Sequence, residues 1–184
     1  MVLIATPLLL LSTACDDDET QSLTVYSGRS ADLIEPLLNQ FAEESGIDIS
    51  VRYGKTAAMA ALILEEGEKS PADVFIAQDA GALGTIEAKG LLATLDTALL
   101  EQIPTSYRSA NGEWIGLSGR ARVIVYNTDA LSPEDLPESI LDFTDPAWNG
   151  RLGWAPTNGS FQAWLTALRL SEGEEGARSW LEGI

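Results

Sequence analysis

The chain has 184 residues, with 28 acidic against 11 basic, no histidine and one cysteine. A formal charge of −17 argues against nucleic acid or an anionic lipid surface as a partner, since both need a positive face. Without histidine, and with a lone cysteine, zinc sites built on those residues and the Ser/His or Cys/His nucleophile pairs are excluded, while 45% apolar residues are enough for a core in one domain or two small ones.

The N-terminus reads as a sorting device rather than as part of the fold. Residues 2–11 are almost wholly apolar, too short to span a bilayer as a mature helix, and run into Leu11-Ser12-Thr13-Ala14-Cys15. Small residues before a cysteine resemble a bacterial lipobox. That resemblance implies a lipoprotein signal peptide over residues 1–14, acylation of Cys15, and a polar tether over residues 15–22 led by Asp16, Asp17 and Asp18.

Residues 23–27 (LTVYS) predict a strand, and Ser27-Gly28-Arg29-Ser30 a turn into a helix with Leu33, Ile34, Leu37, Leu38 and Phe41 on one face. Gly46 ends that helix, and Pro36 predicts either a kink or a later start. Residues 47–53 alternate as a second strand. Thr56 is placed to cap an Ala-rich helix that stops at Gly67, with Glu65 and Lys69 paired one turn apart. Residues 74–76 (VFI) form a third strand, running into Gln78, the N-cap Asp79 and a third helix closed by Lys89-Gly90. Strands alternating with helices at this spacing predict a parallel sheet in an α/β fold.

Beyond Leu100 the rhythm changes. Asn111-Gly112 marks a turn before residues 114–117, and residues 121–126 (ARVIVY) carry the strongest β pattern of the chain. Ser118-Gly119-Arg120 interrupts this extended passage as a hinge candidate between two lobes. Residues 151–155 predict another strand, 156–160 (PTNGS) a loop, and Phe161, Trp164, Leu165 and Leu168 the core face of a helix that Gly173 breaks before Ala177, Trp180, Leu181 and Ile184. So few elements after residue 117 predict a second lobe short of core, with Trp164 and Trp180 exposed.

The loops at Ser27 to Ser30, Gln78 to Asp79 and Thr157 to Ser160 stand at strand-to-helix junctions, where the ligand crevice of a parallel sheet lies. Two of them offer Gly and hydroxyl residues at a helix start, where free N–H groups and the macrodipole favour an anion. Arg120 would add a planar cation suited to a carboxylate, carbonate or phosphate. Ser27, Arg29, Ser30, Gln78 and Asp79 are the cleft candidates of the first lobe.

Val25-Tyr26-Ser27-Gly28-Arg29, Pro71-Ala72-Asp73-Val74-Phe75, Gln78 to Gly84 (QDAGALG), Ser118 to Val123 (SGRARV) and Gly153 to Asn158 (GWAPTN) together resemble the substrate-binding proteins of bacterial ferric-iron ABC importers. The resemblance implies a periplasmic-binding-protein-like two-lobed α/β fold of type II, with a first lobe over residues 23–117, a hinge and an incomplete second lobe over residues 118–184, and a family chain that continues beyond Ile184. It implies a monomeric, lipid-anchored extracytoplasmic protein, not an enzyme, that holds Fe3+ with carbonate or phosphate and delivers it to an ABC permease and its ATPase.

Carried over by position, Asn158, Gly159 and Ser160 match the loop that holds the anion, and Arg120 an arginine near it. Ser30 and Gln78 stand where some members have a histidine and a glutamate, and the adjacent tyrosines that dominate iron binding in the family lie beyond Ile184. Asp79 is the one carboxylate placed at the cleft mouth, as a metal ligand or as an acceptor behind the ligands. Three other readings stay open: an oxyanion or phosphonate binder without metal, an α/β enzyme using Asp79 and glutamates as acid and base, and a sensor lobe.

Overall fold

The computed structural model describes residues 21–184, so the leader, Cys15 and the tether as far as residue 20 lie outside the described residues. Strands β1 (Ser22–Ser27), β2 (Asp48–Tyr53) and β3 (Val74–Ile76) form a parallel sheet in the order β2-β1-β3. The intervening crossovers are α1 (Ala31–Ser45) and α2 (Thr56–Glu66), and α3 (Ala80–Glu87) follows β3. The central strand is covered most completely: Val25, Tyr26 and Ser27 are all buried. Ser27 pairs in register with Tyr53 on one side and Ile76 on the other. All three strands therefore end level, and the loops that follow them emerge along one edge.

Periodicity predicts the α1 boundaries well. Gly46 takes the left-handed conformation (φ 72°) and its N–H bonds the Ala42 carbonyl, ending the helix. The helix runs through Pro36 without ending there, although proline forfeits one intrahelical bond, the one to the Asp32 carbonyl. The predicted apolar face divides in two. Ile34 and Leu38 are half-buried, whereas Leu33, Leu37 and Phe41 are exposed. A first core gathers Tyr26, Met59, Ala60, Ile63 and Ile86 between sheet, α2 and α3. Ile86 is fully buried, a contribution of about 1.5–3 kcal/mol for such a side chain.

Below α3 the chain makes a short helix, α4 (Thr97–Glu101), capped by the Asp96 carboxylate on the Ala98 N–H. The loop that follows is gripped by Glu87. Its carboxylate accepts hydrogen bonds from the Ser109 hydroxyl, from Trp114 Nε1 at 2.9 Å and from Asn111 Nδ2 at 3.0 Å. These donors, Ser109 first and then Trp114, hold the Glu87 carboxyl below its ordinary range. A glutamate at the end of α3 thus ties the turn at Gly112 (φ 72°) to that helix.

Several local expectations are corrected. Lys55, not Thr56, is the N-cap of α2, because the Thr56 hydroxyl is turned inward to other partners. Glu65 and Lys69 form no ion pair: the chain tightens to a 3-10 turn at Gly67–Lys69, which breaks the one-turn spacing on a single helix face. Residues 121–126 and 151–155 are not strands. Among the described residues no neighbouring backbone completes a ladder for either, and Val123 and Val125 stay 70% and 88% exposed. The β pattern reports side chains that suit a sheet; a strand also needs a partner. In the region around residues 114–117, pairing amounts to one isolated bridge between Arg108 and Ile115.

The second core corrects another expectation. Trp180 is buried and Trp164 half-buried, where exposure was predicted. The cause is Gly173, which takes φ 78° and ψ 171° inside α5 (Gly159–Gly183). Sixteen residues of straight helix would separate Trp164 from Trp180 by about 24 Å. Their rings lie 5.0 Å apart, so the chain folds back at Gly173 and the two halves of α5 pack on each other. Phe161, Leu168, Ala177 and Trp180 make this core, and Trp180 Nε1 donates to the Ile140 carbonyl at 2.9 Å.

Candidate functional site

The level strand ends bring three sequence-distant loops together. Gly28 follows β1; its N–H donates to the Ile76 carbonyl at 2.7 Å, tying the β1 loop to the end of β3. Its carbonyl accepts from Gln78 Nε2 at 2.7 Å and from the Thr56 hydroxyl at 3.5 Å. Thr56 Oγ1 in turn accepts the Gln78 N–H at 3.2 Å. The buried hydroxyl of Thr56 therefore joins the loops after all three strands. With its nitrogen committed to Gly28, the Gln78 amide leaves Oε1 as its uncommitted end.

Sequence reasoning missed Thr56 in this role. It was legible only as a cap, because its other partners lie 22 and 28 residues away. The signal that points to it is topological: a hydroxyl at the carboxyl end of β2 sits beside the Gly28 loop once β2 neighbours β1.

The remaining candidates divide. Ser27 is fully buried, and its hydroxyl is spent on its own turn, donating to the Arg29 carbonyl at 3.0 Å and accepting the Arg29 N–H at 3.1 Å. It shapes the loop rather than facing a solute. Ser30 is exposed at the start of α1, and no side-chain cap bond engages it. Arg29 is half-buried beside it. Asp79 caps α3 as expected, with Oδ1 accepting the Ala82 N–H at 3.1 Å.

Arg120 bridges two of these loops. One of its guanidinium nitrogens, Nη2, donates to the Gln78 carbonyl at 3.3 Å and to the Ser160 hydroxyl at 3.1 Å. A single side chain thus links the end of β3 with the start of α5. Opposite it, Asp79 Oδ2 lies 4.0 Å from where a β-carbon on Gly159 would stand. Asn158 caps α5 itself: its Oδ1 accepts the N–H groups of Ser160 at 2.9 Å and Phe161 at 3.3 Å. The helix start is therefore partly satisfied from within. Arg120, with further guanidinium donors, and the Ser160 hydroxyl offer positive and hydrogen-bonding character there.

Among the described residues, no group of three or more His, Cys, Asp or Glu is placed to hold a metal ion. A cavity of about 470 Å³ adjoins the start of α5 at Phe161, walled by Val123, Val125, Trp148, Trp154, Phe161 and Trp180 with Arg122 and Arg151 also on its lining. No helix of the described residues is long and apolar enough to cross a membrane.

Residues 69–184 match the family model described as bacterial extracellular solute-binding protein. The chain belongs to that family. The Fe(3+)-binding periplasmic protein of Serratia marcescens is 33% identical over 184 residues, all of this chain and 54% of that protein. Iron-bound HitA from Pseudomonas aeruginosa superposes with a TM-score of 0.86 at 36% identity, covering 89% of this chain and 53% of that one. A Trichodesmium protein (IdiA, FutA) in complex with iron and citrate ligands gives a TM-score of 0.72 at 31% identity, over 88% of this chain and 52% of that one. The chain thus spans about half the length of the relatives it matches. Its fold is that of the periplasmic ferric-binding proteins, a two-lobed α/β architecture of type II.

Proposed function

We propose that this chain belongs to the extracytoplasmic solute-binding component of an iron(III) ABC importer, holding Fe3+ with a synergistic anion in a cleft between two lobes. Residues 23–117 form the first lobe in this reading, and residues 118–184 the hinge and part of the second. Arg120, Ser160, Gly159 and Asn158 serve the anion, carbonate or phosphate; Gln78, Ser30 and Asp79 border the metal, and the chain is not an enzyme. Its partners are a permease and its ATPase, and it works as a monomer anchored through acylated Cys15.

The observation that carries the reading is the Arg120 bridge between Gln78 and Ser160, which puts one cation where loops from both halves converge. Relatives named for ferric iron agree with it. Hard oxygen donors suit Fe(III), so a site without His or Cys is chemically consistent. Expressed at the length its gene encodes, the protein is expected to bind Fe(III) with carbonate or phosphate, and phenolate ligation would show as a visible charge-transfer band. Arg120→Ala is expected to weaken anion-dependent iron binding by about tenfold or more, the loss of a charge-assisted hydrogen bond, while Ser30→Ala changes little.

A second reading is favoured by the donor set itself: Arg120 and Ser160 suit an oxyanion, and the described residues supply no metal cluster. A gene product that binds phosphonate or sulfate in titration calorimetry but never iron would move the assignment there. For the anchor, Cys15→Ser is expected to shift the expressed protein out of the lipid-labelled membrane fraction. A mutant labelled and fractionating as before would refute acylation at Cys15.

A further inference from the structure

Gln78 lies between the end of β3 at Ile76 and the start of α3 at Ala80, outside both elements, and both of its backbone polar groups are held by side chains from other loops. Its N–H donates to Thr56 Oγ1 at 3.2 Å, and its carbonyl accepts from Arg120 Nη2 at 3.3 Å. The same Arg120 nitrogen donates to the Ser160 hydroxyl at 3.1 Å. From Thr56 to Ser160 the hydrogen bonds therefore run without a gap, through one backbone residue and one guanidinium.

Thr56 suits the head of this path. It is 7% exposed at the first position of α2, and its hydroxyl has one proton to give and lone pairs to spare. The proton goes to the Gly28 carbonyl at 3.5 Å, which leaves the oxygen free to accept the Gln78 N–H. Gly28 holds the other end of the same residue, taking Gln78 Nε2 at 2.7 Å. Gln78 is thus gripped at its N–H and at its side-chain amide, and its carbonyl is aimed by what remains. Without the Thr56 hydroxyl, the part-buried N–H would face a side chain that cannot accept, and the peptide preceding Gln78 would turn to reach water.

We infer that Thr56 is a positioning residue for anion capture: its hydroxyl fixes Gln78, and through the Gln78 carbonyl it sets where Arg120 presents its remaining donors. The role rests on the reading of Arg120 and Ser160 as the anion side of the cleft. Thr56 touches no solute itself; it acts through two residues that a hydrogen-bond path connects to it.

The test separates the hold on Gln78 from its effect on binding. In the 184-residue chain, Thr56→Val keeps the branched shape without the hydroxyl, and hydrogen exchange at the Gln78 amide is expected to quicken at least about tenfold while Ile86 stays protected. Thr56→Ser keeps the hydroxyl and is expected to restore the protection. In the gene product at its encoded length, titrated with inorganic phosphate in the presence of Fe(III), Thr56→Val is expected to weaken binding by about tenfold and Thr56→Ser by less than about threefold. Thr56→Val in an Arg120→Ala background is expected to cost less than about twofold more, because residues on one path are not additive, whereas a purely structural defect would add in full. Should Thr56→Val not fold by circular dichroism, Thr56→Ala carries the same expectations. Folded Thr56→Val that binds as wild type does, or a full tenfold loss that persists in the Arg120→Ala background, overturns the positioning role. A wild type that binds no phosphate, with Gln78 exchange still quickened in Thr56→Val, overturns the anion reading and with it the ligand role of Thr56, while its hold on Gln78 stands.

Discussion

Gly28→Ala is expected to destabilise the sheet end by about 3 kcal/mol, the upper range for forcing atoms into a packed site. A β-carbon at this position would stand 2.2 Å from Thr56 Oγ1 and 2.9 Å from both Cα and Cβ of Thr56. Backbone is among the atoms struck, so a rotamer change cannot relieve the clash. Thr56 in turn holds the Gln78 N–H, and the Gly28 carbonyl holds the Gln78 amide. The damage therefore spreads to the loop that Arg120 touches. Urea unfolding measures the loss. Adding Thr56→Ala to Gly28→Ala removes the 2.2 Å contact but not those at Cα and Cβ, and should recover only part of it. A single mutant within about 0.5 kcal/mol of wild type would show that the three loops are not locked as described.

Trp180→Ala is expected to cost about 3–5 kcal/mol, the range for deleting a buried aromatic. Trp180 is 8% exposed, meets Trp164 edge-on and supplies the hydrogen bond to the Ile140 carbonyl. It closes the fold-back at Gly173 and ties α5 to the turns before it. The two cores share no residue, so the loss should fall on one of them. In hydrogen exchange, amides around Trp164 and Leu168 should lose protection, while those of Val25, Ile63 and Ile86 keep theirs. Equal loss in both groups would mean one cooperative unit instead of two.

These two positions show how far the sequence could be read. Gly28 was recognisable as a turn beside a strand, and its motif carried the resemblance to ferric-iron binding proteins. That a threonine 28 residues away presses on it was not recognisable. Trp180 and Trp164 were assigned to a helix face correctly, yet their exposure was predicted wrongly. Gly173 was read as a break, but the direction the chain takes at a positive φ has no signature in the spacing of apolar residues. The β pattern of residues 121–126 failed for a related reason: propensity describes one segment, and a ladder needs two.

Local order could be read from the residues alone. Alternation and helical spacing, with Gly46, Gly67 and Asp79 as punctuation, placed β1 to β3 and α1 to α3 within a residue or two, because each signal acts within a single turn or strand. The same residues nominated Arg120, Gln78, Asp79 and Ser160 as separate candidates on separate loops. Their convergence belongs to the tertiary structure. Parallel pairing in the order β2-β1-β3 sets the strand ends level, so Thr56, Gly28 and Gln78 meet, and the passage after residue 117 carries Arg120 across to Ser160. Hydrogen bonds spanning 22 to 50 residues depend on how the elements pack, and packing is a property of the whole chain rather than of any window within it.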